Sequence, residues 1–501
     1  MQYGFVLDHR KCIGCHACTV ACKAENDVPV GSFRTWVKYT EIGQFPAVRR
    51  HFAVLRCNHC TNAPCVTICP VTALHKRDDG IVDLDRDACI GCKACIQACP
   101  YDAIYLNDDT GGAEKCHYCA HRVEQGIEPA CVTVCPERAI VPGDLHDKDS
   151  EIAQLAQSEG ATVRRPEQGT GPNVFYLGAD PVSLEPGTAA EPSTYLWSER
   201  RAPPPEWPAD HDVHPQATTV LDVHHPVLWG WKISFYLVTK GLAAGAALLA
   251  PFAAQLGLTG FGRDALPEVL ALVFTAITVV FLIGDLKRPM KFFRLITRPN
   301  TRSWLVKGGW VLMGFSAVTA AALALRFFGQ HGAADALRWP NALLGMMTAG
   351  YTAFLFAQCE GRDLWQRTPF VFTHLQVQAV LLGAAALTIA APSLPLALVA
   401  TAATLVHLGL VVSELYGRHH TANARQAASL LRTIPAWPGS RRRAVVEGLQ
   451  FSTASPLLLL GLILLGYPSA VAAALLFGGA AVGVFWYEQA LLRAGQLPPL
   501  S

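Results

Sequence analysis

The sequence lacks an excess of charge of either sign, and it shows no export signal. Its Lys and Arg residues number 41 against 39 Asp and Glu, a formal net charge of +2, so no surface for nucleic acid is expected. Met1 to Arg10 contains no apolar run, and neither Arg49-Arg50 nor Arg200-Arg201 precedes one, which argues against a secretory or twin-arginine signal. Charged residues make up only 16% of the chain and hydrophobic residues 51%, a composition that predicts a membrane portion.

Cysteine is nearly absent after about Trp229 but dense before it. Sixteen of the 17 cysteines fall into four groups: Cys12-x2-Cys15-x2-Cys18-x3-Cys22, Cys57-x2-Cys60-x4-Cys65-x3-Cys69, Cys89-x2-Cys92-x2-Cys95-x3-Cys99 and Cys116-x2-Cys119-x11-Cys131-x3-Cys135. In two-cluster ferredoxin patterns the last cysteine of such a group ligates the neighbouring cluster, so the groups function in pairs. The spacing therefore predicts two ferredoxin-like modules that hold four [4Fe-4S] clusters.

Two other uses of cysteine fit this pattern poorly. Zinc sites use two C-x2-C pairs, commonly with histidine, and do not repeat a three-plus-one spacing four times. A disulfide framework requires a small secreted domain in an oxidising compartment. Iron-sulfur ligation is therefore the favoured interpretation.

The segments around the cysteine groups predict a small α+β fold. Phe52–Leu55 precedes the second group, Gly80–Leu84 precedes the third, and Ala103–Leu106 follows it, in the ferredoxin order of strand, cluster loop, short helix and strand. The second and third groups form an inner module, and the first and fourth groups then form an outer one. We expect this double module to occupy residues 1–180.

Several cysteine-flanking motifs are similar to those of a known family. Cys22-Lys23-Ala24-Glu25-Asn26, Cys57-Asn58-His59-Cys60 and Lys115-Cys116-His117-Tyr118-Cys119 resemble the four-cluster electron-transfer subunits of the dimethyl sulfoxide reductase superfamily. The resemblance implies the ligand sets Cys12, Cys15, Cys18 and Cys135; Cys22, Cys116, Cys119 and Cys131; Cys57, Cys60, Cys65 and Cys99; and Cys69, Cys89, Cys92 and Cys95. The loop histidines His16, His59, His117 and His121 are candidate hydrogen-bond donors to sulfur, or ordinary loop residues.

The remainder of the chain divides into a linker and a membrane domain. Residues 181–226 are rich in proline without an apolar period, which predicts an extended linker. Apolar segments long enough to cross a bilayer follow near 229–254, 267–284, 305–325, 341–358, 374–391, 395–413, 453–466 and 469–487. A soluble helical domain would need polar faces that these segments lack. We predict an all-α bundle of eight transmembrane helices over residues 227–501.

The basic residues of the connections predict the orientation of this bundle. With eight spans, both of its ends lie on the same side as the cysteine-rich half. The connections on that side carry Lys287, Arg288, Lys291, Arg294, Arg298, Arg302, Arg362, Arg367, Arg418, Arg425, Arg432, Arg441, Arg442, Arg443 and Arg493, and those on the other side carry Arg263, Arg326 and Arg338. The positive-inside rule therefore predicts a multi-pass protein of the bacterial inner membrane whose iron-sulfur half faces the cytoplasm.

The membrane half also resembles a known family. Trp229-Gly230-Trp231, Gly241-Leu242-Ala243-Ala244-Gly245 and Gly284-Asp285-Leu286-Lys287-Arg288-Pro289 are similar to membrane subunits of the polysulfide reductase and NrfD type, most clearly over the first three spans. The resemblance implies quinone or quinol exchange near the iron-sulfur domain, without haem. Many complexes of that family face the periplasm, so the predicted cytoplasmic orientation departs from them.

A quinone site needs hydrogen-bond donors, proton-transfer groups and an apolar slot. The candidates are His224, His225, Lys240, Asp285, Arg288 and Glu360. Lys240 lies about halfway into an apolar span, where an uncompensated charge costs roughly 3 kcal/mol or more, and Asp285 is a candidate partner for it. Arg288 also fits as a topology determinant, and the two histidines also fit as the end of the linker.

His374 and His407 leave a second cofactor open. Both lie toward the same end of adjacent antiparallel spans, where two axial histidines would hold a haem b. The family resemblance argues against this haem, and a pyridine haemochrome spectrum would test it.

The sequence predicts an electron-transfer and membrane-anchor subunit rather than a catalytic one. No molybdopterin-binding segment is recognisable in it, so we expect a molybdopterin-containing catalytic partner, of the sulfite dehydrogenase type or of a sulfur-compound or dimethyl sulfoxide reductase type. One alternative is the redox anchor of a hydrogenase or cytochrome complex. Another is a redox-driven proton pump, which requires carboxylates across the bilayer, whereas Glu360, Glu414, Glu447 and Glu488 fall near predicted span ends.

Overall fold

The computed structural model describes residues 1–190, 214, 216–224, 226–435, 443–467 and 469–500. Its first part consists of short strands and short helices. The strands are β1 (Tyr3–Asp8), β2 (Thr35–Gln44), β3 (Ala47–Arg56), β4 (Leu74–Lys76), β5 (Val82–Leu84), β6 (Ile104–Asn107), β7 (Gly112–Lys115), β8 (Ile140–Asp144), β9 (Ala161–Thr162), β10 (Val174–Leu177) and β11 (Ala217–Leu221). The helices are α1 (Ala17–Asn26), α2 (Pro64–Ile68), α3 (Ala94–Ala98), α4 (Ala120–Val123), α5 (Ala130–Thr133), α6 (Glu151–Ala156) and α7 (Pro181–Leu184).

Small sheets surround the cysteine groups. The largest has the order β8-β1-β10-β9, with β1 antiparallel to β8 and parallel to β10. The strands β2 and β3 form a long hairpin, and β4 with β5 and β6 with β7 form short ones. The predicted strands at Phe52–Leu55, Gly80–Leu84 and Ala103–Leu106 fall in β3, β5 and β6.

The short helices bring the cysteine groups together in pairs. α1 carries Cys18 and Cys22 and packs against α5, which carries Cys131. α2 carries Cys65 and packs against α3, which carries Cys95. The first cysteine group therefore lies against the fourth, and the second against the third.

The segment predicted as a linker has regular structure in its described residues. α7 begins it, and β11 adds to the edge of β2 as an antiparallel strand, with Ala217 opposite Ile42 and Thr219 opposite Thr40. The prediction of an extended linker missed this strand, because its residues acquire their pairing only from the distant edge of β2. Residues 191–213 lie outside the described part of the chain.

The second part of the chain consists mainly of long helices. These are α8 (Trp231–Leu249), α10 (Leu266–Asp285), α12 (Trp304–Phe327), α13 (His331–Ala357), α14 (Thr368–Leu387), α15 (Leu394–Tyr416), α17 (Ala444–Leu464) and α18 (Ala470–Gln496). Shorter helices lie between them: α9 (Gly260–Asp264), α11 (Arg294–Thr297) and α16 (Ala422–Leu431).

Among the described residues, seven of these helices are long and apolar enough to cross a membrane, so the protein is a multi-pass membrane protein. α13 is not one of the seven, and its first turns contain polar residues such as Asp335 and Arg338. An eighth span stays a prediction.

The last two long helices extend well beyond the predicted spans. α17 begins at Ala444 rather than near 453, and α18 continues to Gln496. The added turns contain polar residues that hydropathy alone assigns to loops. They remain helical because α17 and α18 pack closely, with Gly448 and Gly483 leaving no room for a Cβ between the two backbones.

Candidate cluster and quinone sites

All four cysteine groups begin with the same backbone turn. The residue before the second cysteine is left-handed in each group: Gly14 (φ 70°), His59 (φ 43°), Gly91 (φ 69°) and Tyr118 (φ 61°). For a non-glycine residue this conformation costs about 1–2 kcal/mol. Tertiary contacts offset that cost at Tyr118, whose hydroxyl donates to the carbonyl of Gly4 at 2.6 Å. The same local conformation therefore recurs at the start of all four groups.

Thiols of the outer groups line two enclosed cavities. One is lined by Cys12, Cys15, Cys18 and Cys135. The other is lined by Cys22, Cys116, Cys119 and Cys131. The structure therefore brings together the members of the first two implied ligand sets, across a long separation in sequence.

The inner groups show the same convergence. Burial, together with the nearby thiols of Cys57 and Cys99, raises the pKa of Cys60. Burial, together with Cys92 and the nearby thiols of Cys89 and Cys69, raises the pKa of Cys95. Such groups of buried thiols are costly to ionise unless a positive centre stabilises them, as metal ligation does.

The thiols fit iron-sulfur clusters better than zinc or disulfides. All 17 cysteines are described and none forms a disulfide. No group of three or more His, Cys, Asp or Glu side chains in the described residues is close enough to hold a single metal ion. Thiols that ligate one zinc ion all lie about 2.3 Å from it, whereas the iron atoms of a cubane hold their ligands farther apart.

A buried arginine indicates that the second cavity holds an anionic group. Arg56 has no exposed surface, and its Nε and Nη2 have no hydrogen-bond partner among the described residues. Its Nη1 donates to the Sγ of Cys131 at 3.4 Å. Although burial opposes the charge, the nearby thiolates of Cys131, Cys116 and Cys18 raise the pKa of Arg56. A cluster with thiolate ligands would supply the negative charge that this guanidinium requires.

Other donors to sulfur are backbone amides and one asparagine. The amides of Leu74, Ala113 and Ala139 donate to Cys69, Cys89 and Cys135 at 3.3 to 3.5 Å, and the Nδ2 of Asn26 lies 3.7 Å from the Sγ of Cys22. The histidines considered from sequence have other partners in the described structure. His59 accepts from the amide of Val82, His117 contacts Arg34 and His121, and His16 lies beside Tyr39. Among the described residues, none of these histidines donates to a cysteine Sγ, and a role at the clusters stays a prediction.

The third cysteine group lies directly on the membrane half. Lys93, between Cys92 and Cys95, donates to a carboxylate oxygen of Asp285 at 2.8 Å, and both side chains are largely buried. Arg288 donates to the carbonyl of Cys89 at 3.2 Å. The indole of Trp229 lies 3.4 Å from the carbonyl of Cys92 and stacks on Trp365.

The loop before α12 and the loop after α13 complete this junction. The Nδ2 of Asn300 donates to the carbonyl of Cys69 at 2.8 Å. Arg362 donates to Gln97 at 2.8 Å, and a Cβ on Gly361 would lie 2.6 Å from the carbonyl oxygen of Cys99. The contacts involve the second and third cysteine groups, and they fix these loops against the ends of the membrane helices.

Lys240 lies deeper, inside the helical bundle, and is 1% exposed. Its ammonium donates to the hydroxyl of Thr352 and lies 4.5 Å from the ring centroid of Tyr351. The suggested pairing of Lys240 with Asp285 is wrong, because Asp285 pairs with Lys93. Glu488 lies in α18, which packs against the helix that carries Lys240.

The other predicted quinone residues are dispersed. Asp285 and Arg288 contact the third cysteine group. Glu360 precedes Gly361, which lies against Cys99, and is half-buried. Burial raises the pKa of the Glu360 carboxyl. His224 is exposed, lies before the first membrane helix and interacts with another residue. His225 lies outside the described residues.

His374 and His407 contact each other directly. The Nε2 of His374 lies 2.8 Å from the Nδ1 of His407, a hydrogen-bond distance. Two histidines that ligate one iron from opposite faces need ring nitrogens about 4 Å apart, with the metal between them. As described, this pair is hydrogen-bonded to itself and leaves no place for an iron between the two rings. The other nitrogen of His374 lies 3.2 Å from the hydroxyl of Tyr487.

Sequence reasoning missed several buried polar residues of the bundle. Glu488 falls just outside the last predicted span but lies inside α18, 2% exposed, and accepts from Gln378 at 2.8 Å. Tyr236 is 3% exposed, and its ring centroid lies 5.8 Å from the ammonium of Lys240. Polar residues within apolar segments were the available signal, but only the fold shows which of them face one another.

Comparison with known proteins matches both halves of the sequence. A family profile described as "4Fe-4S dicluster domain" matches residues 48–145, and one described as "Polysulphide reductase, NrfD" matches residues 219–394. A tetrathionate reductase subunit from Salmonella typhimurium is 44% identical over 203 residues, which cover 40% of this chain and 80% of that protein. A polysulfide reductase chain from Wolinella succinogenes is 40% identical over 179 residues, covering 35% of this chain and 94% of that protein. The arsenate respiratory reductase iron-sulfur subunit of Shewanella sp. is 36% identical over 225 residues, covering 35% of this chain and 96% of that protein.

Proposed function

Because this protein belongs to the family of reductase iron-sulfur subunits and continues into an NrfD-type membrane domain, we propose that it relays electrons through four [4Fe-4S] clusters between a catalytic partner and membrane quinone. Bound clusters supply one-electron steps, which a two-electron substrate and a quinone both require. The protein's own residues hold the clusters, contact the partner and shape the quinone site. Both halves act as electron-transfer and anchoring parts of a reductase-type complex.

The observation that carries this proposal is the junction at the third cysteine group. Cys92 and Lys93 contact Trp229 and Asp285 at the mouth of the helical bundle. The proposed set of Cys69, Cys89, Cys92 and Cys95 therefore lies closest to the membrane. Direct contacts of 2.8 and 3.4 Å join this cysteine group to the helical bundle.

The other end of the proposed series is at the surface. Cys15 is the one cluster cysteine that is exposed in the described structure, and Ile13 and Val20 beside it are 55% and 63% exposed. Exposed apolar side chains around a redox centre are typical of a docking surface. We assign the catalytic partner to this end of the protein.

We propose that the partner contains molybdopterin. The relatives are subunits of tetrathionate, polysulfide and arsenate reductases, and all three of these compounds are small inorganic anions. A partner of the sulfite dehydrogenase type would send electrons toward quinone, and a reductase would draw them from quinol. Molybdenum analysis of the purified complex tests this assignment, and an active complex without molybdenum would contradict it.

We place the quinone head group between the cluster junction and Lys240. Tyr236, Lys240 and Thr352 supply hydroxyl and ammonium donors there, and Asp285 closes the cluster end. These groups match what the carbonyl oxygens of a quinone need, namely hydrogen-bond donors that can also exchange protons. Arg288 and Glu360 border this region, and His224 and His225 precede the first helix of the bundle.

The orientation is proposed to be cytoplasmic. Lys287, Arg288 and Asn300 all contact the cysteine-rich half, which places it on the side of the basic connections. The positive-inside rule assigns that side to the cytoplasm. Protease digestion of right-side-out and inverted membrane vesicles tests this topology.

Asp285→Asn tests the membrane end. The substitution removes one partner of a largely buried ion pair, which typically costs about 3–5 kcal/mol by leaving the other charge unpaired. We expect quinone-dependent turnover to fall while reduction of the clusters by dithionite is retained. Lys287→Gln is the matched control, because Lys287 pairs with Asp108 at 3.1 Å in the same junction, but with both side chains well exposed. Equal turnover in both variants would contradict the role of Asp285.

The cluster count is tested separately. The full complex, prepared anaerobically, should contain about 16 iron and about 16 acid-labile sulfide atoms in this protein if four cubanes are bound. A content near half of that value would contradict the assignment of four clusters.

A further inference from the structure

A separate group of buried polar side chains lies in α14, α15 and α18, away from the proposed quinone head group. His374 bridges His407 at 2.8 Å and the hydroxyl of Tyr487 at 3.2 Å. All three side chains are at most 4% exposed. A buried polar group is costly unless it is paired, and neither the clusters nor the haem alternative accounts for this one.

Two buried carboxylates border the same group. Glu414 and Glu488 line a small cavity together with His374 and Tyr487. The Oε2 of Glu488 has no hydrogen-bond partner among the described residues, although Glu488 is 2% exposed. The cavity has a volume of about 10 Å³. This is room for about one water molecule and far too small for a quinone ring.

These buried polar side chains lie between the surface on the iron-sulfur side and the interior of the helical bundle. At the outer end of the group, the carboxylate of Glu414 lies 4.0 Å from the guanidinium of Arg367, whose side chain is 35% exposed. At its inner end, α18, which carries Glu488, packs against α8, which carries Lys240. Four titratable side chains therefore border one cavity between the surface near Arg367 and the helix that carries Lys240.

We propose that these groups form a relay that carries protons between the cluster-side surface and Lys240. Its members are Glu414, His374, Tyr487 and Glu488. The inference rests on the proposed quinone function and adds the route by which the protons of that reaction travel.

Each member has the chemistry that a relay needs. An imidazole accepts a proton at one nitrogen and releases one from the other, and a phenol hydroxyl both donates and accepts. A carboxylate accepts a proton and passes it on, and Glu488 has a free oxygen among the described residues that line the cavity. His407 holds the ring of His374 in place, so we assign it a positioning role.

The relay accounts for the protons that the quinone reaction takes up or releases. Reduction of a quinone to a quinol takes up two electrons, which the proposed cluster series delivers, and two protons, which the relay brings to the carbonyl oxygens through Lys240. In the opposite direction, the quinol hydroxyls lose two protons to the same groups as the electrons leave. The protons are thus exchanged with the side of the membrane on which the clusters lie.

Glu488→Gln and Tyr487→Phe test the relay in the full complex. Both substitutions preserve side-chain shape and remove the group that transfers the proton. We expect each to slow quinone turnover by roughly 100-fold, the usual size of a general acid-base contribution, and to increase the solvent deuterium isotope effect. Reduction of the clusters by dithionite should be unchanged, because no proton relay is needed for it.

Thr404→Val is the matched control. Thr404 lies in α15 near His407, is 2% exposed, and its hydroxyl donates to the carbonyl of Ser452 at 3.4 Å. The control should keep the wild-type rate and isotope effect. Wild-type rates and isotope effects in both Glu488→Gln and Tyr487→Phe would overturn the relay, as would a loss that extends to cluster reduction. A wild-type complex that does not react with quinone at all would instead overturn the proposed function.

Discussion

The buried guanidinium of Arg56 should raise the reduction potential of the cluster that we propose at Cys22, Cys116, Cys119 and Cys131. Its Nη1 lies 3.4 Å from the Sγ of Cys131, and an added electron spreads over the whole centre, somewhat farther away. Two unit charges about 6 Å apart attract by about 3 kcal/mol at an effective dielectric constant of about 20. For a one-electron couple this energy corresponds to roughly 120 mV, because each step of about 59 mV is a tenfold change in the equilibrium constant.

Arg56→Gln removes this charge and should lower one cluster potential by about 100 mV. Arg56→Lys keeps the charge and should restore most of the shift. The assay is a redox titration of the full complex followed by electron paramagnetic resonance, with iron content measured in each variant to show that the centre is assembled.

The control for this prediction lies on the same strand. Arg50 in β3 is exposed and pairs with Glu41, so Arg50→Gln should leave every potential unchanged. The reasoning is refuted if Arg56→Gln shifts no potential by more than about 20 mV, or if Arg50→Gln produces an equal shift.

Three further predictions concern ligation, the junction and pH. Cys69→Ser should lower the iron content by about four atoms per molecule, whereas Cys359→Ser should not change it, since Cys359 lies outside the four groups; an equal loss in both would contradict the ligand set. Gly361→Ala should loosen the contact with the cluster loops and speed proteolysis at the junction, because its Cβ would lie 2.6 Å from a carbonyl oxygen, whereas Gly309→Ala has open space and should behave as wild type. Burial raises the pKa of Glu360, so the folded state favours its protonated form and this contribution to stability is lost as the pH rises through the folded pKa. Glu360→Gln should therefore raise the Tm more at alkaline than at acidic pH, and an equal change at both would contradict the shift.

The iron-sulfur half was predictable because its chemistry is local. A turn with cysteines three residues apart presents its thiols to one centre, and the recurrence of the left-handed residue in all four groups, at Gly14, His59, Gly91 and Tyr118, shows that the spacing dictates the backbone. The long apolar helices were predictable for a similar reason, since hydrocarbon requires every backbone group to be bonded within its own segment.

The partners of buried polar residues were not predictable from sequence. Asp285 was a candidate partner for Lys240, but the docking of the third cysteine group pairs it with Lys93 instead. The true ends of α17 and α18 were missed because hydropathy assigns polar residues to loops, although close helix packing keeps them helical. Glu488 was consequently placed outside the last predicted span, although α18 encloses it in the bundle.

The sequence alone determined that this protein can ligate iron-sulfur clusters and which of its segments can lie in a membrane. Both follow from residue type and spacing along a single stretch of polypeptide. Only the tertiary structure decided which cysteine group contacts the membrane helices and that His374 bonds to His407. It also decided that Glu414, Tyr487 and Glu488 border one cavity. These pairings depend on the rotation and packing of helices far apart in the sequence, which no local pattern encodes.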